Sequence, residues 1–298
     1  MIKKIIQFLI GVVFITSAVL KMISIDSFEV YVYSLGFFGI NTAYVFARLI
    51  ISVEFLTGIF LILNIYFKSV WKICVTLLTV FSLFLIYQVF QNKEENCFCF
   101  GELIALNPTE SLFKNVILLI LLIFIRKNKA TETTFKKFVA VFISIISFSL
   151  PFILSPPFFL TLKQSAQYRE YDEEAVNTAI RNESYDFIQI DSGKKIVCFF
   201  SLQCKYCQLT ASKISVLAER YHLEDNVYYV FYGDEKYLES FWNGSHSKQF
   251  AYKIIPVQNF FRVSGPHLPA VYLFNNGKVI KKFSNDSFDE TEISNFFE

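Results

Sequence analysis

The sequence predicts a protein of two structural classes in series, an all-α transmembrane helical bundle followed by an α/β domain. Three observations carry this. A chain of 298 residues with 54% hydrophobic content, 36 Phe and a mean hydropathy of +0.43 is too apolar for one water-soluble domain. The excess is uneven: residues 1–155 hold nearly continuous apolar runs, whereas 160–298 has the mixed polarity of a soluble fold. Two close cysteine pairs punctuate the parts, Cys97-Phe98-Cys99 between apolar runs and Cys204-Lys205-Tyr206-Cys207 in the polar third.

Five apolar stretches are expected to span a bilayer: 5–24, 49–67, 73–90, 112–125 and 138–155. About 20 residues cross the hydrocarbon, so four fit with tilt or snorkelling ends. The fourth is short and counts because Lys114 near its start can reach outward. The first is not read as a cleaved signal, since no small-x-small site follows it. The expected organisation is 1–130 as a four-helix membrane module, 131–158 as a fifth helix with connector, and 159–298 as an extracytoplasmic domain.

Orientation follows from Lys and Arg near the span ends. With the N-terminus inside, the cytoplasmic segments hold Lys3, Lys4, Lys68, Lys72, Arg126, Lys127, Lys129, Lys136 and Lys137, and the outer ones Lys21, Arg48, Lys93 and Lys114. The C-terminus then lies outside after five crossings, and both cysteine pairs fall on the extracytoplasmic face, where disulfides persist. The membrane half carries net +5 and the rest net −3, which gives no footprint for a nucleic-acid partner.

The second half opens after Pro151, Pro156 and Pro157, with residues 168–182 read as a helix or tether. Lys194–Ser201 has a buried-strand pattern and leads directly into Cys204, Cys207 and a helical run over 208–221. Residues 226–232 read as a strand and 234–242 as a helix. Residues 270–274 and 278–283 flank Asn275-Asn276-Gly277 as a hairpin, and 289–297 closes as a helix.

Helix placement argues chemistry directly. A cysteine at the first turn of a helix faces unpaired backbone amides and the positive dipole end, which favour thiolate, so Cys204 is the expected attacking sulfur. Cys207, three residues on, lies on the same face one turn inward, where it can resolve a mixed disulfide. Lys205 adds a nearby positive charge. The competing readings are a structural bridge and half a zinc site; zinc needs four ligands, and this part offers His222, His246 and His267 with no second Cys-x-x-Cys.

With this order of elements, residues from about 185 to 298 resemble a thioredoxin-like domain. Cys204-x-x-Cys207 at the strand-to-helix junction and Gly265-Pro266-His267-Leu268-Pro269 before the hairpin carry the resemblance. It implies that Pro269 matches that family's cis-proline and positions a substrate segment beside the sulfurs. Gln203 before the first cysteine, and Lys205-Tyr206 between the two, depart from the usual Trp-Cys-Gly-Pro-Cys.

Residues 1–130 resemble the DoxX-like superfamily and, within it, the MauE group of methylamine-utilisation proteins. The matching residues are Gly11-x-x-Phe14 and Ser17-Ala18-x-x-Lys21 in the first span, Glu54 in the second, Cys97-Phe98-Cys99-Phe100-Gly101, and Leu106-Asn107-Pro108. The resemblance implies a thiol pair in an outer loop, and its fusion to a thioredoxin-like domain implies one exchange system.

A Cys-x-Cys disulfide closes a tight ring, and a strained, exposed bridge is the more oxidising kind, so Cys97 and Cys99 are expected to exchange electrons with Cys204 and Cys207. A static clasp and a metal site are the alternatives there. Glu54 at lipid depth, with Arg48 six residues earlier, suggests proton handling for a quinone, the candidate cofactor; the plainer reading is a buried contact, with Lys21 as partner. Residues 25–43, rich in Phe and Tyr, read as an interfacial segment. Cys198 and Cys74 read as core thiols.

The function expected from the sequence is an inner-membrane thiol-disulfide oxidoreductase acting on an extracytoplasmic thiol or disulfide protein, with the lipid bilayer and a larger membrane complex as further partners. The alternative is an assembly or scaffold subunit whose thioredoxin-like domain holds a partner without redox turnover.

Overall fold

The computed structural model describes residues 1–90, 97–128, 134–157, 173–181 and 183–298; Lys93, Lys129, residues 158–172, which include the start of the helix or tether expected over 168–182, and Asn182 lie outside them. Contacts divide the chain into two units, Met1–Tyr31 with Tyr44–Pro156, and Val32–Ala43 with Pro157–Glu298.

The helices of the first half are α1 (Ile2–Ile23), α2 (Ile25–Ser34), α3 (Ile40–Leu63), α4 (Phe67–Phe90), α5 (Pro108–Ile125) and α6 (Thr134–Leu154). All but α2 are long and apolar enough to cross a membrane. At about 1.5 Å per residue, their 18 to 24 residues match a hydrocarbon core of about 30 Å. Their faces are sorted for lipid. Leu83 and Tyr87 of α4 and Phe138, Phe142 and Ile145 of α6 point outward, while Gln7, Ser17, Lys21, Ser52, Ser111 and Asn115 are buried. Water would select the opposite arrangement, so this is a multi-pass membrane protein.

Span boundaries differ from expectation for identifiable reasons. The second span was expected over 49–67 and starts at Ile40: Arg48, taken as its edge, lies inside α3, buried against Glu29, so its charge marks no boundary. The third starts at Phe67 instead of 73, with Lys68 and Lys72 on its exposed side. The fourth is not short, because a polar first turn extends it back to Pro108. Asn107 caps that turn: its side chain accepts from the Glu110 amide at 2.8 Å, and Glu110 accepts from the Asn107 amide at 3.0 Å. The aromatic-rich residues 25–43 hold α2 and the start of α3.

α1 and α3 pack backbone to backbone at Gly11 and Gly58. A β-carbon on Gly11 would lie 2.8 Å from the Gly58 carbonyl oxygen, and one on Gly58 2.9 Å from that of Gly11. Small residues permit such approach between membrane helices, where dispersion replaces the hydrophobic drive.

The second half contains α7 (Glu173–Ala179), β1 (Lys194–Ser201), α8 (Lys205–Tyr221), β2 (Val227–Tyr232), α9 (Leu238–Ser245), β3 (Ala251–Ile254), α10 (Val257–Ser264), β4 (Ala270–Asn275), β5 (Lys278–Phe283) and α11 (Glu290–Phe297). The sheet order is β3-β2-β1-β4-β5. β1 and β2 pair in parallel, as do β2 and β3, whereas β4 runs antiparallel to both β1 and β5. Side chains of β1 alternate: Val197 and Phe199 join a core with Phe260, Tyr272 and Phe274, and Phe200 on the opposite face meets Tyr229, Phe231 and Phe241. A central strand feeding the Cys-x-x-Cys helix, a parallel neighbour and an antiparallel hairpin make this a thioredoxin fold. β3 and α10 escaped sequence reading because β3 is a four-residue edge strand with three exposed side chains, and α10 follows it after two residues.

Candidate functional site

In the thioredoxin-fold unit, β1 ends at Ser201 and Cys204 forms the N-cap of α8. The helix begins three residues earlier than the apolar pattern suggested, because its first turn is the polar Lys205-Tyr206-Cys207 segment. The Cys204 sulfur accepts from the Cys207 amide at 3.3 Å. Cys204 is partly exposed and Cys207 is buried. The Cys207 thiol, with the Cys207 and Tyr206 amides, lowers the Cys204 pKa to about 7 against the opposing effect of burial. Burial, and then the neighbouring Cys204, push the Cys207 thiol well up. One sulfur is therefore poised as thiolate and the other held as thiol. Hydrogen bonds carry the shift on Cys204; the Lys205 ammonium invoked from the sequence is not among its causes.

Pro269 immediately precedes β4, whose first residue, Ala270, pairs with Phe199 near the end of β1 that leads to Cys204. The register thus places Pro269 at the cysteine end of the sheet. The Leu268–Pro269 peptide bond is cis. Cys198 lies within β1, fully buried, its thiol raised by desolvation, and serves as core.

In the membrane unit, Cys97 and Cys99 form a disulfide. The pair is buried, contrary to the exposed bridge expected, in a small cluster with Leu85 and against Phe81, Phe100, Leu106 and Leu112. The loop is tied down at several points. The Cys97 amide donates to Leu106 O at 3.0 Å, and the Phe98 ring packs at a tilt against Tyr31 with centroids 4.9 Å apart. Gly101 adopts φ +66°, and a β-carbon there would sit 2.6 Å from Leu20 O, so the loop lies directly on α1.

The motif residues of this half converge on that loop. The Ser17 hydroxyl donates to Cys99 O at 2.8 Å, and Lys21 Nζ donates to Ser17 Oγ at 2.7 Å and to both Glu54 oxygens at 2.8 Å. Glu54 thus forms the Lys21 contact that was its plainer reading. Arg48 belongs to a separate network, bonded to Glu29, to Tyr44 O at 2.7 Å and to Ser155 O at 2.8 Å. The two residues grouped from helical spacing are therefore held by different partners.

Sequence reasoning missed Ser111. Its Oγ lies 2.9 Å from Cys97 Sγ, and both residues are buried. The available signal was Asn107-x-x-Glu110, a capping box that puts Ser111 in the first turn of α5 beside the loop.

A separate cavity of about 540 Å³ is lined by apolar residues of α1, α3 and α6, among them Ala18, Ile51, Phe55 and Leu150, with Asp26 of α2 and Ser147 of α6. Ser147 Oγ is buried and has no hydrogen-bond partner among the described residues. Ile51 and Phe55 line this space, whereas Glu54, between them in sequence, turns to Lys21.

Fold and site together define a class, a multi-pass membrane module joined to a thioredoxin-fold domain with a Cys-x-x-Cys at a helix start. Comparisons with known proteins place similarity in the membrane half and along the chain as a whole. Residues 1–126 match the family described as methylamine utilisation protein MauE. Protein TlpB of Flavobacterium psychrophilum is 27% identical over 333 aligned positions, covering 94% of this chain and 90% of that protein. A crystal structure of a secreted Mycobacterium tuberculosis disulfide oxidoreductase homologous to E. coli DsbE covers 36% of this chain and 82% of its own, with 17% identity and a TM-score of 0.30. At that score the fold assignment rests on the sheet topology alone.

Proposed function

We propose that the chain is a bacterial inner-membrane thiol-disulfide oxidoreductase that exchanges electrons between Cys97/Cys99 in its membrane module and Cys204/Cys207 in an extracytoplasmic thioredoxin-fold domain. The observation that carries the reading is the asymmetry of Cys204 and Cys207: a partly exposed helix-cap sulfur with its pKa lowered to about 7, beside a buried thiol pushed up.

In the oxidising half-reaction, the Cys204 thiolate attacks a disulfide, forming a mixed disulfide and releasing one partner thiolate. Cys207 then loses its proton and attacks Cys204, closing Cys204–Cys207 and releasing the second thiol, so two electrons leave the dithiol for the partner. Pro269, at the cysteine end of β4, positions the incoming protein segment. The proposed parts are the module over 1–130, the fifth helix and connector over 131–158, and the domain over 159–298.

The charge distribution supports an N-terminus inside and a C-terminal domain in the periplasm. Two of the four basic residues assigned to the outer side, Lys21 and Arg48, are engaged by Glu54 and Glu29, which sharpens the contrast with the nine inner ones.

A quinone fits this reading as the membrane-soluble electron carrier. Glu54 and Arg48 are both committed to ion pairs, with Lys21 and Glu29. The apolar cavity with the unsatisfied Ser147 hydroxyl fits a ring carbonyl and the base of its tail better. Such a group would supply two-electron redox chemistry within the bilayer, with Ser147 donating a hydrogen bond to its oxygen.

The test is the redox state of each pair in native membranes, read by acid quench and thiol alkylation. Coupling predicts that replacing Cys97 and Cys99 by Ser shifts the Cys204/Cys207 redox distribution; an unchanged distribution contradicts the exchange.

A further inference from the structure

We infer that Ser111 directs the chemistry of the membrane-loop pair: Cys97 is the leaving sulfur, Cys99 is the sulfur attacked, and Ser111 is the residue that makes them unequal. The inference rests on the proposed thiol-exchange reading and adds its regiochemistry.

A disulfide sulfur carries no proton, so in the 2.9 Å contact between Ser111 Oγ and Cys97 Sγ the hydroxyl is the donor. Among the described residues, the Cys99 sulfur receives no such donor; the hydrogen bond made at Cys99 is the one its carbonyl accepts from Ser17. Burial does not choose between the sulfurs, since Cys97 is 1% and Cys99 2% exposed. What differs is the capacity to hold negative charge. Ser111 lies in the first turn of the 18-residue α5, whose start is fixed by the Asn107–Glu110 capping box. Charge developing on Cys97 therefore meets a hydroxyl donor and the positive end of a helix.

An incoming thiolate bonds to Cys99 Sγ, the Cys97–Cys99 bond breaks, and its electron pair leaves on Cys97 Sγ as a thiolate that Ser111 stabilises. A second thiol of the reductant then displaces Cys99, leaving Cys97 and Cys99 reduced and the reductant as a disulfide. In the reverse direction Cys97 is the attacking thiolate. The leaving sulfur governs the exchange rate through its stability as an anion, so the donor selects the path.

Ser111 is thus a positioning residue, and its contribution is separable from folding. The experiment uses full-length protein in detergent carrying C204S and C207S, so that the loop pair alone reacts. Glutathione is added, the reaction is quenched in seconds with N-ethylmaleimide, and adducts are mapped by peptide mass. The expected result is glutathione on Cys99 and maleimide on Cys97, in excess over the opposite pattern by on the order of tenfold, the scale of one hydrogen bond to a charged group. Ser111→Ala should erase the bias and move the pH dependence of Cys97 alkylation in the reduced protein upward, while Ser111→Thr, which keeps the hydroxyl, should retain both. Glutathione mainly on Cys97, or a bias unchanged in Ser111→Ala, overturns the inference and leaves thiol exchange at the loop standing. No adduct at either sulfur overturns the inference and the exchange reading together.

Discussion

The Ser17 hydroxyl donates to the carbonyl of Cys99 at 2.8 Å, which fastens the cysteine loop to a span residue 82 positions earlier. Lys21 and Glu54 complete the link, so a buried ion pair in the helices and the thiol pair in the loop form one network.

Removing one partner of that ion pair leaves the other charged in a low-dielectric interior. Glu54→Ala is expected to destabilise the membrane module by about 3–5 kcal/mol, and Lys21→Met with Glu54→Leu together by much less, because no charge is stranded. Thermal unfolding of the variants in detergent checks this; equal losses in the single and double variants would refute it.

The Gly11–Gly58 contact has no room for a side chain. Gly58→Val should lower the unfolding temperature in detergent and expose the α1–α3 seam to protease, since its β-carbon meets the Gly11 carbonyl at 2.9 Å. Val substituted at the exposed Leu83 of α4 should leave both measurements near wild type.

Thiolate is the nucleophile, so alkylation of Cys204 by iodoacetamide should rise with pH through a midpoint of about 7, where half the sulfur is deprotonated. Cys207→Ala removes the thiol that contributes most to the lowered value, and the midpoint should move upward. Cys207→Ser keeps a donor and should move it less. A midpoint unchanged in Cys207→Ala would assign the shift to the helix amides alone.

Asn107→Ala removes the side-chain arm of the capping box, leaving the backbone amide of residue 107 to donate to Glu110, and should cost about 1 kcal/mol. Because the first turn of α5 carries Ser111, whose hydroxyl stabilises the leaving Cys97 thiolate, the variant should also react more slowly with dithiothreitol at Cys97–Cys99, followed by alkylation and mass shift. Stability loss without slower reduction would separate the cap from the loop.

Much of this arrangement was legible in the residues. β1 falls on Lys194–Ser201 because a continuous apolar run leaves little choice, and β5 on Lys278–Phe283 because Asn275-Asn276-Gly277 fixes the hairpin turn before it. Boundaries failed where polarity was read as exposure: Arg48 and Lys21 are charged and buried, so the start of α3 was misplaced and a loop charge was counted where an ion pair exists. Ser111 was invisible for a related reason. A serine in a polar first turn looks solvated until the chain brings Cys97 back against it across 14 residues.

In the proposed exchange Cys204 attacks and Cys207 resolves, and trapping the mixed disulfide separates these two roles. Cys207→Ser, expressed in full-length protein in its native membrane and quenched with acid, should accumulate a mixed disulfide through Cys204 that disappears on reduction and is absent in the additional Cys204→Ser variant. If no Cys204 conjugate forms, and partner complexes persist unchanged when Cys97, Cys99, Cys204 and Cys207 are all replaced by Ser, the protein is a scaffold and the redox account is wrong.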